Sequence, residues 1–306
     1  MWSSRRFAAI RLLALGLLVA VVATHRDEAA GAEALQVLIT TSELTVGENR
    51  FGFGLLKNDT LLEGARVIVR IYDLSPEPPR LYAEAPAPYH ELEVVEQSRR
   101  VHVHPDGTRH VHDGATDVRG VYVAQVRFPR PGPWGIEVLA RQGDGTVEAA
   151  RFTVEALAAG HAPMPGTPAP RSRNLVVTDV ADLRTIDSSD PPDPRLHQQR
   201  IADAIIQGKP QVIVFATPKY CTSRVCGPIV DVVRTLIPLY GDRVVFIHQE
   251  IWQAGTQKFA PTVEEWNLRS EPWIFVVDGA GIVRAKFEGL TTRREVEAAL
   301  RRVLAP

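Results

Sequence analysis

The chain has 306 residues, of which 45% are apolar and 23% charged, and its formal net charge is −1. At about 100–200 residues per domain this length predicts two domains, and the balanced composition excludes a disordered, collagen-like or coiled-coil protein. The charge provides no basic field, so we expect no nucleic-acid partner. The two cysteines, Cys221 and Cys226, are too few for a disulfide-dense scaffold, an iron–sulfur cluster or a four-cysteine zinc site.

The N-terminus has the pattern of an export signal. A short basic start over residues 1–6 precedes the apolar run LLALGLLVAVVA over residues 12–23. A run of about 12 residues is typical of a signal-peptide core and short for a membrane span, which needs roughly 20. Residues 1–24 are therefore either a signal peptide cleaved after Ala23 or an uncleaved membrane anchor. Both alternatives predict an extracytoplasmic protein, in the periplasm or at the cell surface, that contacts the membrane only through this segment.

The next part of the chain, residues 35–157, has the pattern of an all-β domain. Short runs of alternating apolar residues separated by turn signals predict a small antiparallel sandwich. The predicted strands cover 35–41, 51–57, 65–74, 120–128, 134–142 and 147–154. The piece GVYVAQVRFPRPGPWGIEVLA over 120–140 resembles the last strands of Ig-like sandwich modules in exported proteins. That resemblance implies an Ig-like β-sandwich that docks a partner.

Residues 158–192 are predicted to be a proline-rich linker and an extended lead-in. The stretch AAGHAPMPGTPAPR over 158–171 contains four prolines and few side chains that could pack, which is typical of a semi-extended spacer. No sequence feature requires the domains on its two sides to touch.

The last part, residues 193–306, changes to a pattern of helices alternating with strands. Asp193 and Pro194 predict a helix start, Gly208 predicts its end, and Thr292 with Glu295 has capping-box spacing. The predicted strands cover 211–217, 243–249, 273–278 and 282–289, and the later helices cover 228–240, 262–266 and 292–304. This order predicts one mixed sheet, with a parallel βαβ unit, an antiparallel hairpin and helices on both faces.

Three pieces of this part carry a family resemblance. VIVFATPKYCTSRVCGP, RSEPWIFVVDGAGIVRAKFEG and the terminal helix resemble the thioredoxin-like superfamily over residues 196–304. The resemblance implies an α/β thioredoxin-like domain in which Cys221 and Cys226 form a redox pair. It also implies that Pro272 is the cis-proline that packs against the disulfide. Exported protein thiols and disulfides are then the expected partners, and no cofactor is required.

The cysteine spacing departs from the family, because C-x-x-x-x-C replaces C-x-x-C. In a regular helix the two side chains would point about 140° apart, so we expect the pair in the loop that enters the helix at Gly227-Pro228. Cys226 would then sit at the helix N-terminus, where the dipole lowers a thiol pKa, as would Lys219 and Arg224. Glu271, beside Pro272, carries a charge that would oppose thiolate formation.

Two alignments of the pair with the family motif stay open. Cys221 matches the first cysteine if Tyr220 takes the usual tryptophan position, whereas Cys226-Gly227-Pro228 matches C-G-P if Ile229 replaces the second cysteine. Two other roles also stay open. A structural disulfide would close a small loop and contribute about 2 kcal/mol in the chain-entropy model. A thiol peroxidase of the class with this spacing would carry P-x-x-x-T-x-x-C, which is absent here.

A histidine-rich segment, VHVHPDGTRHVHDG over 101–114, lies in the first domain. A three-residue turn at 105–107 would place His102 opposite His110, with His104 and His112 on the same side. A two-residue turn would split the four histidines between both faces. The alternatives are a four-imidazole site for copper or zinc and a solvated polar hairpin. His248, near the end of a predicted strand, is expected to be a satisfied strand-end residue.

Together these features predict an extracytoplasmic thiol–disulfide oxidoreductase acting through Cys221 and Cys226. The alternative from another class is a non-catalytic copper- or zinc-handling or assembly protein that uses the hairpin from His102 to His112 and a structural disulfide. The sequence predicts neither the oligomeric state nor the direction of electron flow.

Overall fold

A computed structural model describes residues 34–58, 60–92, 100–103, 109–112, 119–221 and 225–305. The predicted signal or anchor at residues 1–24 lies outside these ranges. Within them, no helix combines the length and apolar character that a bilayer crossing needs.

The N-terminal part forms two sheets that pack over one core. The first has the order β1-β3-β10-β7, with β4 paired to β3, and the second has the order β2-β12-β11-β5-β6. The strands are β1 (Gln36–Ile39), β2 (Leu44–Thr45), β3 (Gly47–Lys57), β4 (Thr60–Leu61), β5 (Arg66–Asp73), β6 (Arg80–Pro86), β7 (Tyr89–Glu91), β10 (Gly120–Phe128), β11 (Gly132–Arg141) and β12 (Val147–Leu157). A separate two-stranded ladder consists of β8 (Arg100–Val103) and β9 (Arg109–His112).

Period-two alternation explains how these strands pack. In β5, Val67, Val69 and Ile71 are buried and alternate with more exposed neighbours, so one face of the strand joins the core. Phe53 of the first sheet and Trp134 of the second lie in the same buried cluster. The structure has a strand at each of the six predicted positions. It adds β2, β4 and β7, which are too brief to give a periodic signal, and the seven-residue edge strand β6, whose side chains are mostly exposed.

The C-terminal part forms a four-stranded mixed sheet of order β14-β13-β15-β16. Its strands are β13 (Gln211–Phe215), β14 (Val245–Gln249), β15 (Trp273–Val277) and β16 (Val283–Glu288). β13 and β14 pair in parallel, and the other neighbours pair antiparallel. The helices are α1 (Ile201–Ile206), α2 (Cys226–Tyr240), α3 (Pro261–Glu265) and α4 (Arg293–Leu304).

Helices cover both faces of this sheet. Val212 and Val214 of β13 belong to one buried cluster with residues of α2 and α4, whereas Ile213 and Phe215 belong to another with residues of α1 and α3. A strand buried on both faces needs a continuous apolar run, which is the pattern that predicted it. α4 begins with the capping box formed by Thr292 and Glu295.

The helix predicted from Asp193 to Gly208 is wrong as one element. Asp193 caps a short 3-10 turn (Pro194–His197), and α1 begins separately after Arg200, which has extended backbone angles. The side chain of Asn174 accepts a hydrogen bond from the Ile201 N–H at 2.7 Å, so a residue distant in sequence supplies the second helix start.

The linker prediction is also wrong about packing, because the stretch 158–171 lies against the sheet. Ala162 and Ala169 are buried within the cluster that covers one sheet face. The Gly166 N–H donates to the Val283 carbonyl at 2.8 Å, and the Ala169 N–H donates to the Gly281 carbonyl at 2.9 Å. The prolines remove some N–H donors, but Gly166 and Ala169 bond to the region around β16, and the His161 N–H donates to the Glu43 carboxylate at 2.7 Å.

The N-terminal sheets and the C-terminal part share a core and a polar contact. Leu92, Val121 and Val123 lie in the same buried cluster as residues of α2 and α4. The Arg50 guanidinium donates to the Glu295 carboxylate at 2.6 Å and to the Leu290 carbonyl at 2.6 Å. The two parts therefore touch, a feature that composition and periodicity did not indicate.

Candidate functional site

The two cysteines lie together at the entrance to α2. Both are reduced, with no disulfide between them, and both are buried. Their sulfur atoms and a carboxylate oxygen of Glu271 all lie within 4.8 Å of one another. The sequence therefore placed the pair correctly at the end of β13, but α2 begins at Cys226 itself, two residues before the predicted start.

Local hydrogen bonds explain how the chain delivers these thiols. After β13, the N–H groups of Tyr220 and Cys221 both donate to the Thr217 carbonyl, at 3.2 and 3.0 Å, which turns the loop back toward the sheet. Pro228 falls in the first turn of α2, where its missing N–H leaves no helical hydrogen bond unmade. Tyr220 is 54% exposed, whereas its neighbour Cys221 is 2% exposed and Cys226 is 0% exposed.

The environment of Cys226 overturns one expectation and agrees with another. Burial raises the pKa of the Cys226 thiol well above its usual range, and contact with Cys221 and the charge of Glu271 act in the same direction. The prediction that the helix N-terminus lowers the pKa of Cys226 is therefore wrong, because desolvation has a larger effect on this pKa than the helix dipole. The prediction that the charge of Glu271 opposes formation of the Cys226 thiolate is confirmed.

Glu271 is the carboxyl group nearest to the pair among the described residues. It precedes β15, its peptide bond to Pro272 is cis, and the Cys226 Sγ donates to its Oε2 at 3.6 Å. Burial raises the pKa of Glu271 well above its usual range, and charges on Cys221 and Glu250 raise it further. A carboxyl and a thiol with raised pKa values, in contact, can exchange one proton.

A second buried polar cluster, formed by Asp187, His197 and His248, was missed by sequence reasoning. The His197 Nε2 lies 3.1 Å from one oxygen of Asp187, and the His248 Nδ1 lies 3.3 Å from the other. Asp187 and His248 are fully buried and His197 is 1% exposed. The expectation that His248 is an ordinary strand-end residue is incomplete, because its ring also contacts Asp187. A lone histidine in the apolar strand RVVFIHQ was the available signal.

The charges in this Asp–His–His cluster compensate one another. Burial by itself raises the pKa of Asp187, but the charge of His248 and the hydrogen bond from His197 outweigh it and hold this pKa well below its usual range. Burial lowers the pKa of His197. Burial also lowers the pKa of His248, but the neighbouring Asp187 has the larger effect and raises this pKa above its usual value. The cluster therefore holds one ion pair and one neutral imidazole.

Short contacts connect this cluster to the cysteine loop. The His248 Nε2–H donates to the Ala216 carbonyl at 3.0 Å, five residues before Cys221. The Ser188 N–H donates to the Glu250 carboxylate at 2.9 Å, and the Lys219 N–H donates to the Ser188 hydroxyl at 3.2 Å. The segment after Asp187 thus supports the backbone that carries the thiols.

The histidine hairpin has the predicted strand register. β8 and β9 pair with His102 opposite His110 and Arg100 opposite His112, as a three-residue turn requires. His104 and the turn at 105–107 lie outside the described residues. His102 and His110 are therefore directly opposite in the ladder, and His112 lies two positions further along β9.

Comparisons with known proteins identify no family for this chain. No model of a protein family matches it, and no curated protein matches it. Among solved structures, a DUF4426 family protein from Pseudomonas aeruginosa is 10% identical with a TM-score of 0.25, covering 44% of this chain and 99% of its own. A cohesin module from a Clostridium perfringens family 33 glycoside hydrolase is 11% identical with a TM-score of 0.19, covering 42% and 98%. Likenesses this low assign neither fold nor function.

Proposed function

We propose that this chain is an extracytoplasmic thioredoxin-like thiol–disulfide oxidoreductase, preceded by an Ig-like sandwich, that acts through Cys221 and Cys226. The observation that supports it best is the pair of reduced thiols held beside each other and beside Glu271, where the helix α2 begins. Exported proteins that contain thiols or disulfides are the proposed partners.

Cys221 is the proposed attacking residue. It is the less buried of the two thiols and follows the exposed Tyr220, so a partner reaches it first. Its thiolate attacks one sulfur of a partner disulfide, a mixed disulfide forms, and the partner's other sulfur leaves as a thiolate. Pro272 lies next to Glu271 and, in the family that the sequence resembles, that position packs against the disulfide.

Cys226 is the proposed resolving residue, and Glu271 is its proton acceptor. The Cys226 proton moves to the Glu271 carboxylate across the 3.6 Å contact, and the thiolate attacks the Cys221 sulfur. The Cys221–Cys226 bond forms and the partner's second thiolate leaves. Two electrons pass to the partner. Two protons leave the Cys221–Cys226 dithiol and protonate the partner's two thiolates. The reverse sequence oxidises a partner dithiol.

Trapping of the mixed disulfide tests this assignment. The full chain with Cys226→Ser should retain a disulfide-bearing model peptide on Cys221, because no resolving thiol can release it. Cys221→Ser should trap at least tenfold less, and the double serine variant is the baseline. Equal trapping by both single variants would refute the assigned order, and no trapping by either would refute the exchange function.

The redox potential separates a catalytic pair from a structural bridge. Exchange catalysts have reduction potentials of about −270 to −120 mV, whereas structural disulfides typically lie below about −300 mV. Equilibration of the full chain with glutathione and dithiothreitol buffers should give a potential in the catalytic range. A value below that limit would support the structural alternative, and rapid peroxide consumption by the reduced chain would support the thiol peroxidase.

Metal handling is the second candidate function, because the register places His102 opposite His110. Copper(II) or zinc bound by such imidazoles should be lost as pH falls through about 6.5, when histidines protonate. His102→Ala with His110→Ala should abolish that binding, and Gly107→Val should weaken it because valine resists a positive φ. His161→Ala is the matched control. Undiminished binding by the double variant would exclude this site.

A further inference from the structure

A buried set of nitrogen and oxygen donors lies outside the thiol site. The side chains of Asp187, His197 and His248 are at most 1% exposed, and one donor atom from each lies within 4.8 Å of the other two. They come from three separate parts of the chain: the lead-in segment, the 3-10 turn before α1, and β14. The fold alone brings them together.

The donor spacing fits a small tetrahedral ion. Zinc binds imidazole nitrogen and carboxylate oxygen at about 2.0–2.2 Å, so two of its ligand atoms at a tetrahedral angle lie about 3.4 Å apart. The Asp187 oxygens lie 3.1 Å from the His197 Nε2 and 3.3 Å from the His248 Nδ1. Small side-chain adjustments would place the three donors around one ion.

A buried hydroxyl beside Asp187 is an independent sign of a ligand at this cluster. The Ser189 N–H donates to Asp187 at 2.8 Å, and among the described residues the Ser189 hydroxyl is buried with no hydrogen-bond partner. The His248 Nδ1 lies 3.3 Å from an Asp187 oxygen, in an ion pair that falls outside hydrogen-bond geometry. Buried polar atoms in native proteins nearly always have a partner, so each such exception calls for an explanation such as an ion or a water.

The second contact of His248 is the one that metal-bound histidines make. Its Nε2–H donates to the Ala216 carbonyl at 3.0 Å, so the Nδ1 that faces Asp187 is the nitrogen left to bind an ion once its proton is lost. Metal-ligating histidines almost always donate their other N–H to a carbonyl or carboxylate in this way. The imidazole must be neutral to bind, so an entering ion displaces the proton that His248 otherwise holds.

We propose that Asp187, His197 and His248 form a buried binding site for a divalent transition-metal ion, with zinc as the ligand that fits best. Two imidazoles and one carboxylate are zinc donors, and the absence of sulfur from this set disfavours copper(I). The ion would join the lead-in segment to β14 and, through Ala216, support the loop that carries Cys221. The proposal does not depend on the redox function.

The test removes the two competing sites and asks whether an ion still binds. The full chain carries Cys221→Ser, Cys226→Ser, His102→Ala and His110→Ala, and is equilibrated with zinc or cobalt(II), both folded and during refolding because the site is buried. We expect one equivalent of bound metal by elemental analysis. Bound cobalt should show visible d–d bands without a sulfur-to-cobalt charge-transfer band.

Further variants in the same background assign the ligands. His248→Gln and, separately, His197→Gln should each reduce the bound metal from one equivalent to a tenth or less, whereas His161→Gln should leave it unchanged. If the four-substitution chain is folded by circular dichroism and retains no stoichiometric metal under either loading condition, the proposal is overturned. Retention of a full equivalent by both folded glutamine variants would overturn it as well.

Discussion

Replacing Glu271 by glutamine should make the Cys226 thiolate easier to form. The Glu271 Oε2 lies 3.6 Å from the Cys226 Sγ, and a carboxylate at that distance repels a thiolate by about 4–5 kcal/mol at an effective dielectric constant of about 20. Partial exposure of the carboxyl screens part of this energy. Because about 1.4 kcal/mol corresponds to a factor of ten, we expect the thiolate fraction at a fixed pH to rise by about ten- to hundredfold.

A pH titration of thiolate ultraviolet absorbance measures this effect without requiring a reagent to reach the buried sulfur. The comparison is between Cys221→Ser and Cys221→Ser with Glu271→Gln, with the cysteine-free chain as the baseline for tyrosine ionisation. Glu264→Gln is the matched control, since that side chain is exposed on α3. The variant's midpoint should lie at lower pH than that of its parent.

The same variant separates the two roles assigned to Glu271. Loss of the proton acceptor should slow the resolving step in the chain that contains both cysteines, although the Cys226 thiolate forms more readily. A midpoint that stays unchanged or moves to higher pH would refute the electrostatic reasoning. Unchanged release of the partner would refute the proton-acceptor role.

Three further predictions concern stability and access. Asp187→Asn should lower the free energy of unfolding by about 3–5 kcal/mol in urea titrations, because it leaves the His248 imidazolium without its buried counter-charge. Asp242→Asn, at an exposed carboxyl, should change the free energy of unfolding little. Equal effects of the two substitutions would contradict this prediction. Burial alone raises the pKa of Glu295, but its arginine partner outweighs burial and lowers it. The ionised Glu295 carboxylate therefore contributes stability that is fully present above about pH 4.3 and is lost as pH falls through the lower pKa of the folded state. Glu295→Gln should destabilise the chain at pH 7 and destabilise it less at acid pH. A difference in unfolding free energy that does not change with pH would contradict this prediction. Finally, residues 158–171 should resist limited proteolysis, since they pack on the sheet, and rapid cleavage there would restore the flexible-linker prediction.

The positions of most helices and strands follow from local patterns in the sequence. The apolar run QVIVF predicted a strand buried on both faces, and β13 is such a strand. The spacing of Thr292 and Glu295 predicted the capping box at the start of α4. These signals are local because a strand period or a cap depends on residues only a few positions apart.

Two predictions about the site and its surroundings failed because they depended on burial. The helix N-terminus favours a Cys226 thiolate, but that thiol is enclosed, and desolvation has the larger effect on its pKa. The stretch 158–171 has the composition of a spacer, but Ala162 and Ala169 are small enough to pack against the sheet. The composition of a segment does not determine which of its side chains the rest of the fold buries.

The sequence by itself determined the two cysteines beside one strand end, the charge of Glu271 next to Pro272, and the order of the elements. Only the tertiary structure decided that Asp187, His197 and His248 meet, because they are separated by up to about sixty positions and lie in three separate parts of the chain. Likewise, only folding brought Arg50 to Glu295. Contacts of this kind depend on how sheets and helices pack, and no local period or spacing encodes them.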